Sequence, residues 1–155
     1  MKNERWITIR NVDTDASGED RFEISARGTL RGTPEDYALR FEEQFGDGMK
    51  SRTEIRVRDR RCASIVRRGD VNSEITVEAG KRHACTYETP FGEILMGVFA
   101  REVYSDVDPL EGGELRLHYT IDYNGSLSSQ KKMLVQVGRV LPDPAAGDKN
   151  RRPKE

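Results

Sequence analysis

The chain has 155 residues, the size of one ordinary domain, with 26 Lys and Arg against 27 Asp and Glu for a formal net charge of −1. Its longest apolar run, Ile94-Leu95-Met96-Gly97-Val98-Phe99-Ala100, falls far short of the roughly 20 residues a spanning helix needs, so no membrane partner is expected. Hydrophobic residues make up 35% of the chain and alternate over long stretches, which excludes disorder throughout.

The start, Met1 to Trp6, has no apolar signal core, and Cys62 and Cys85 are the only cysteines. A cytoplasmic protein with two reduced thiols is therefore expected. Strands are predicted over 5–12 and 21–30. Between them, Asp13-Thr14-Asp15-Ala16-Ser17-Gly18 opens like a calcium loop, with oxygens at positions 1, 3 and 5 and Gly at 6. Position 12, where the bidentate Glu belongs, is Ile24, so the segment is read as a hairpin loop.

Thr33-Pro34-Glu35-Asp36 has the form of a helix start, with Thr as N-cap, Pro next and acids in the first turn. Tyr37, Phe41 and Phe45 would then stack on one helix face. A strand over 36–45 instead puts Tyr37, Leu39 and Phe41 on one face. Local signals alone favour the helix. Strands follow at 50–58 and 62–68. Seven arginines from Arg52 to Arg68 stand against Glu54 and Asp59 there, a local balance of +5. Because Arg56 and Arg58 alternate with Ile55 and Val57, this reads first as a solvated strand face. Neither an aromatic row nor an overall basic excess supports nucleic acid as the partner.

Further strands are predicted at 73–79, 82–89, 92–106, 113–123 and 126–140. In the third of these, Ile94, Met96 and Val98 alternate with the equally apolar Leu95, Gly97 and Phe99, which predicts cover on both faces. Turn residues separate the runs, among them Gly69-Asp70, Gly80-Lys81, Phe91-Gly92, Gly112-Gly113 and Asn124-Gly125. Residues 142–155 are charged and proline-bearing, without a large apolar side chain, and are expected to form a mobile tail on a barrel domain spanning 1–141. Ten strands joined by tight turns in sequence order make a meander, and closing it removes the exposed edges.

No dinucleotide, P-loop, zincin or α/β-hydrolase motif is present. His83, His118, Cys62 and Cys85 are the only soft ligands and have no zinc spacing, so neither a metal nor a cofactor is expected.

Three stretches together carry a family signature: Ile65-Val66-Arg67-Arg68-Gly69; Val77-Glu78-Ala79-Gly80 running on to Tyr87-Glu88-Thr89-Pro90-Phe91-Gly92-Glu93-Ile94-Leu95-Met96-Gly97-Val98; and Gly112-Gly113-Glu114-Leu115-Arg116-Leu117-His118-Tyr119-Thr120-Ile121-Asp122-Tyr123-Asn124-Gly125. With Tyr37-x-Leu39-x-Phe41-x-Glu43 and Thr53-x-Ile55-x-Val57 upstream, the chain resembles the YwiB-like bacterial proteins over about residues 5–140. These are a domain family of unknown function with a calycin-type β-barrel. The resemblance implies an all-β, lipocalin-like, antiparallel up-and-down barrel of about eight to ten strands. It also implies that 36–45 is a strand, against the local helix signal, and it implies no activity. Thr33-Pro34-Glu35-Asp36 departs from the family pattern.

In such a barrel, strand phase points Glu43, Thr53, Arg67, Tyr87, Thr89, Tyr119 and Tyr123 inward. An internal guanidinium has to be paired, and Glu43 is the candidate partner for Arg67. These seven residues are the candidate ligand-binding set, for a small organic molecule that is anionic or amphipathic. The alternative is a barrel filled by its own side chains that binds a protein or RNA through the arginine-rich face 52–68. As an enzyme, the chain would have to draw acid–base groups from Glu43, Arg67, Tyr87 and Glu88, and phase sets Glu88 on the outside. No nucleophile–base arrangement or metal motif supports catalysis, and no catalytic residue is assigned. No sequence feature specifies an oligomeric state.

Overall fold

A computed structural model describes residues 4–44, 48–70, 72–89, 91–123 and 125–141; the expected tail 142–155 and Phe45 lie outside them. Ten strands follow in order: β1 (Glu4–Asp15), β2 (Gly18–Gly32), β3 (Asp36–Gln44), β4 (Lys50–Arg58), β5 (Cys62–Gly69), β6 (Ser73–Glu78), β7 (Arg82–Thr89), β8 (Gly92–Ser105), β9 (Gly113–Tyr123) and β10 (Ser126–Val137). Each pairs antiparallel with its sequence neighbours. β1 and β10 pair from Ile7↔Val137 to Asp15↔Ser129 and close the cylinder. The fold is therefore the all-β closed meander that the alternation implied. Among the described residues no helix is long and apolar enough to cross a membrane.

Alternation dictates the inside. On β9, Leu115, Leu117, Tyr119 and Ile121 are buried, while Arg116 between them is exposed. The hairpins β1–β2, β3–β4, β5–β6, β7–β8 and β9–β10 gather at one end, the mouth. The other hairpins and both barrel-end strand termini lie at the closed end. Toward that end Ile7, Leu30, Leu39, Val57, Val77, Leu115, Leu117 and Val137 fill the axis, and the Tyr37 hydroxyl meets Ser105 Oγ at 2.6 Å. One join in the wall is thin: among the described residues β6 and β7 share a single ladder pair, Ser73↔Tyr87.

The helix signal at Thr33 becomes a turn. Thr33 N donates to Asp36 O at 2.9 Å, and Asp36 N donates to Thr33 O at 3.2 Å and to Thr33 Oγ1 at 3.1 Å. The oxygen that would cap a helix caps a hairpin instead, and the fixed φ of Pro34 suits the turn's first central position. Pairing then locks Tyr37, Leu39 and Phe41 against Val57, Ile55 and Thr53, so tertiary partners override the local preference.

Two expectations need correction. β10 ends at Val137 rather than 140, because Gly138 N turns to donate to Trp6 O at 2.9 Å. β8 is not covered on both faces: Leu95 and Phe99 are exposed on its outer side. Only Gly97 is covered there, by Arg82, whose guanidinium crosses it to grip Asp122 at 2.7 and 3.0 Å. Further along, a bulge between Ala100 and Glu102 shifts the phase, so Arg101 and Glu102 both face out and Ser105 returns inward.

Gly112 and Gly125 have nearly equal φ, +85° and +86°, in the β8–β9 and β9–β10 turns. A Cβ on Gly125 would meet nothing within 4 Å, whereas one on Gly112 would lie 2.2 Å from Val137 O. Gly125→Ala is expected to cost about 1 kcal/mol of backbone strain. Gly112→Ala should cost about 3 kcal/mol, since a backbone carbonyl in the barrel-closing strand has to move. Urea unfolding of the two variants side by side checks the difference; equal losses would contradict it.

Candidate functional site

Three consecutive strands bring Glu43, Thr53 and Arg67 together inside the mouth. Arg67 and Thr53 are ladder partners on β5 and β4, and Glu43 on β3 reaches across to both. Glu43 is 4% exposed; its Oε1 accepts from Arg67 Nε at 2.8 Å and from Thr53 Oγ1 at 2.5 Å. The expected ion pair is thus formed. It occupies only one nitrogen of the guanidinium. The two terminal nitrogens of Arg67 make no hydrogen bond to a described residue, and its side chain is 23% exposed. Pinned at Nε, the guanidinium presents a fork suited to an oxyanion.

A second charged pair sits across the barrel on β1 and β10. Lys131 Nζ donates to Asp13 Oδ2 at 2.9 Å, and the two residues are ladder partners. Between the pairs opens a cavity of about 490 Å³, bordered by Arg67, Ser73, Ile75, Tyr87, Met96, Tyr119, Ile121, Tyr123, Met133, Asn11 and Phe22, among others. Its volume falls within the range of small-molecule sites. The barrel is therefore solid toward its closed end and hollow at its mouth.

Of the seven residues singled out in the sequence, Arg67, Tyr87, Tyr119 and Tyr123 line this cavity. Glu43 and Thr53 stand behind Arg67. Tyr87 and Tyr123 are rim residues, partly exposed. Thr89 closes β7 opposite Gly92, and its side chain lies outside the described residues. Sequence reasoning missed Asn11, Asp13, Ser73 and Lys131. Ser73 and Lys131 lie two residues before the buried Ile75 and Met133, and Asn11 and Asp13 two and four residues after the buried Ile9, so extending the alternation to polar residues would have pointed Asn11 and Ser73 inward.

Several of these polar groups lack internal partners. Asn11, Ser73 and Tyr119 are 7%, 8% and 3% exposed, yet their side chains form no hydrogen bond to a described residue. Asp13 Oδ1 is likewise buried without a partner. Buried polar groups are normally satisfied, so an unmet carboxylate oxygen beside three unpartnered polar side chains on one cavity marks a place built to meet polar atoms. Burial pushes Tyr119 up to about 12; Arg67 opposes that shift and Asp13 adds to it, so the phenol stays a donor near neutral pH.

That shift has a sign. The folded-state value lies above the unfolded value of about 10, so the stabilisation is fully present below pH 10 and is lost as pH rises toward 12. Tyr37, also held at about 12 by burial, adds to the loss. Stability measured by urea midpoints should fall across this window, and Tyr119→Phe should flatten the fall. A variant as alkali-sensitive as the parent would refute the assignment to Tyr119.

Outside the cavity the chemistry is quieter. The arginine-rich face is interleaved with acids: Arg40–Glu54 at 2.7 Å, Arg60–Glu35 at 3.5 Å, Arg68–Glu74 at 3.7 Å and Arg56–Asp36 at 3.9 Å. A depression of about 600 Å³ on that face, bordered by Arg40, Glu42, Arg52 and Arg68, is open to solvent. Asp15 caps its own turn through Ser17 N at 2.8 Å, and His83 bonds Glu78 at 2.7 Å. Among the described residues no group of three or more His, Cys, Asp or Glu could hold a metal ion. Cys62 and Cys85 are free thiols, and burial pushes both upward, away from the thiolate. Glu88 lies on the outer surface, as its phase required.

A family model described as a domain of unknown function, DUF1934, matches residues 7–135. Among solved structures, the chain is similar to the crystal structure of the ywiB protein from Bacillus subtilis, with a TM-score of 0.73 at 18% sequence identity. That match covers 88% of this chain and 93% of the other, and at such identity it speaks to the fold alone. No curated protein matches the chain.

Proposed function

The chain belongs to the DUF1934 family, and from that premise we propose that it is a binding module that holds a small amphipathic organic molecule in the mouth of the barrel. The single observation that carries this reading is the unmet polar lining of one cavity: Asp13 Oδ1, buried without a partner, beside the side chains of Asn11, Ser73 and Tyr119, which make no hydrogen bond to a described residue. A barrel end meant only to be plugged has no reason to bury Asp13 Oδ1 unsatisfied, at a cost of roughly 1–3 kcal/mol, beside three further polar side chains without an internal partner.

The geometry suggests how such a molecule is held. An oxyanion on it meets the free fork of Arg67 and the Tyr119 hydroxyl, while Ile75, Met96, Ile121 and Met133 cover its apolar part. Glu43 keeps the fork oriented before the ligand arrives, which lowers the ordering cost of binding. The arginine-rich outer face fits partner binding less well, since Arg56, Arg60 and Arg68 are already paired with Asp36, Glu35 and Glu74.

The test is thermal unfolding of the intact protein against a panel of apolar carboxylates and amino acids at millimolar concentration. A ligand at a hundred times its Kd should stabilise by about 2.7 kcal/mol. The double variant Glu43→Gln/Arg67→Met, which removes both charges at once, should lose the effect. If no compound raises the melting temperature and none shifts the methyl resonances of Ile75, Met96 or Met133, the reading is wrong.

A further inference from the structure

The unmet hydrogen-bonding capacity of the cavity has two signs. On one side are donors: the terminal nitrogens of Arg67 and the hydroxyl of Tyr119. On the other is an acceptor, Asp13 Oδ1, whose sister oxygen is held by Lys131. Asn11, two residues along β1 on the same face, adds one group of each kind. Tyr119, the ladder partner of Lys131, stands on the Asp13 wall, and its hydroxyl lies within electrostatic reach of both Asp13 and Arg67.

Charge balance narrows the chemistry further. Asp13 and Glu43 offset Lys131 and Arg67, so the site is formally neutral. A plain carboxylate would satisfy the fork of Arg67 but bring an uncompensated negative charge and leave Asp13 Oδ1 unmet. A plain amine would do the reverse. A molecule carrying both groups satisfies both walls and keeps the site neutral.

We infer that the cavity takes a dipolar ligand, an amino acid with a long apolar or aromatic side chain, its carboxylate on Arg67 and Tyr119 and its ammonium on Asp13 and Asn11. The inference rests on the cavity being a binding site, as proposed above. The aromatic and aliphatic residues toward the mouth, Phe22, Tyr87, Ile94 and Tyr123, are the exposed part of the lining and accept the apolar side chain.

Calorimetric titration of the full-length protein with three matched probes, 2-aminodecanoate, decanoate and decylamine, tests it. The amino acid should bind at least about tenfold tighter than either single-charge analogue, the value of one further charged hydrogen bond. Asp13→Asn should erase that lead and leave decanoate binding equal or tighter, because Lys131 is released. The comparison of probes on the unmodified protein decides the matter even if a variant folds poorly. Decanoate or decylamine binding as tightly as the amino acid would overturn the dipolar assignment while leaving the cavity a ligand site. Failure of all three to bind would overturn both.

Discussion

Glu43→Ala is expected to destabilise the barrel by about 3 kcal/mol, as large an effect as any single polar substitution in this chain should have. The carboxylate is almost wholly buried and accepts two hydrogen bonds, from Arg67 Nε and Thr53 Oγ1. Removing it leaves a guanidinium inside the cylinder with no counter-charge. The loss belongs near the low end of the range for a broken internal pair, because the terminal nitrogens of Arg67 face the cavity and remain solvated. Glu43→Gln/Arg67→Met should recover most of the stability, since uncharged replacements of both partners remove the cost of desolvating two charges as well as their attraction, and an amide oxygen can still accept from Thr53 Oγ1. Urea unfolding of the single and double variants measures the coupling. A Glu43→Ala variant within 0.5 kcal/mol of the parent, roughly the size of a surface pair, would show that the interaction is no more than that.

Leu117→Ala should cost about 3–5 kcal/mol, and Met133→Ala only about 2 kcal/mol. The two are ladder partners on β9 and β10, both buried, so strand context is shared. They differ in what surrounds them. Leu117 lies in the filled part of the barrel, where truncation leaves a void that the rigid cylinder cannot collapse around. Met133 borders the 490 Å³ cavity, so the space it vacates merges with volume already present and little new void is created. Equilibrium unfolding distinguishes the two, and equal costs would argue that the mouth is packed as tightly as the closed end.

Strand phase made the Glu43–Arg67 pair legible. Once Tyr37, Leu39 and Phe41 share a face, Glu43 has to follow, and once Ile65 is inside, so is Arg67. Alternation alone also placed Tyr119 and Thr53 correctly. It did not reveal Asp13 or Lys131, because a charged residue at a strand end normally escapes to solvent, and only closure of β1 on β10 holds these two within reach. Nor did it reveal that Leu95 is uncovered, since an apolar residue on an outer face looks the same in sequence as one beneath a second layer.

Period-two hydrophobicity and turn chemistry by themselves determined nine of the ten strands, the sequence order of their pairing and the buried face of all but β8, because these depend on neighbours a few residues apart. Tertiary structure decided three further things: that Thr33–Asp36 turns a hairpin rather than starting a helix, that the cylinder is solid toward one end and hollow at the other, and that Asp13 Oδ1 stays unmet beside the hollow. Those outcomes depend on strands distant in sequence meeting across an axis. Their packing volumes and hydrogen-bond reach exist only once the ring is closed.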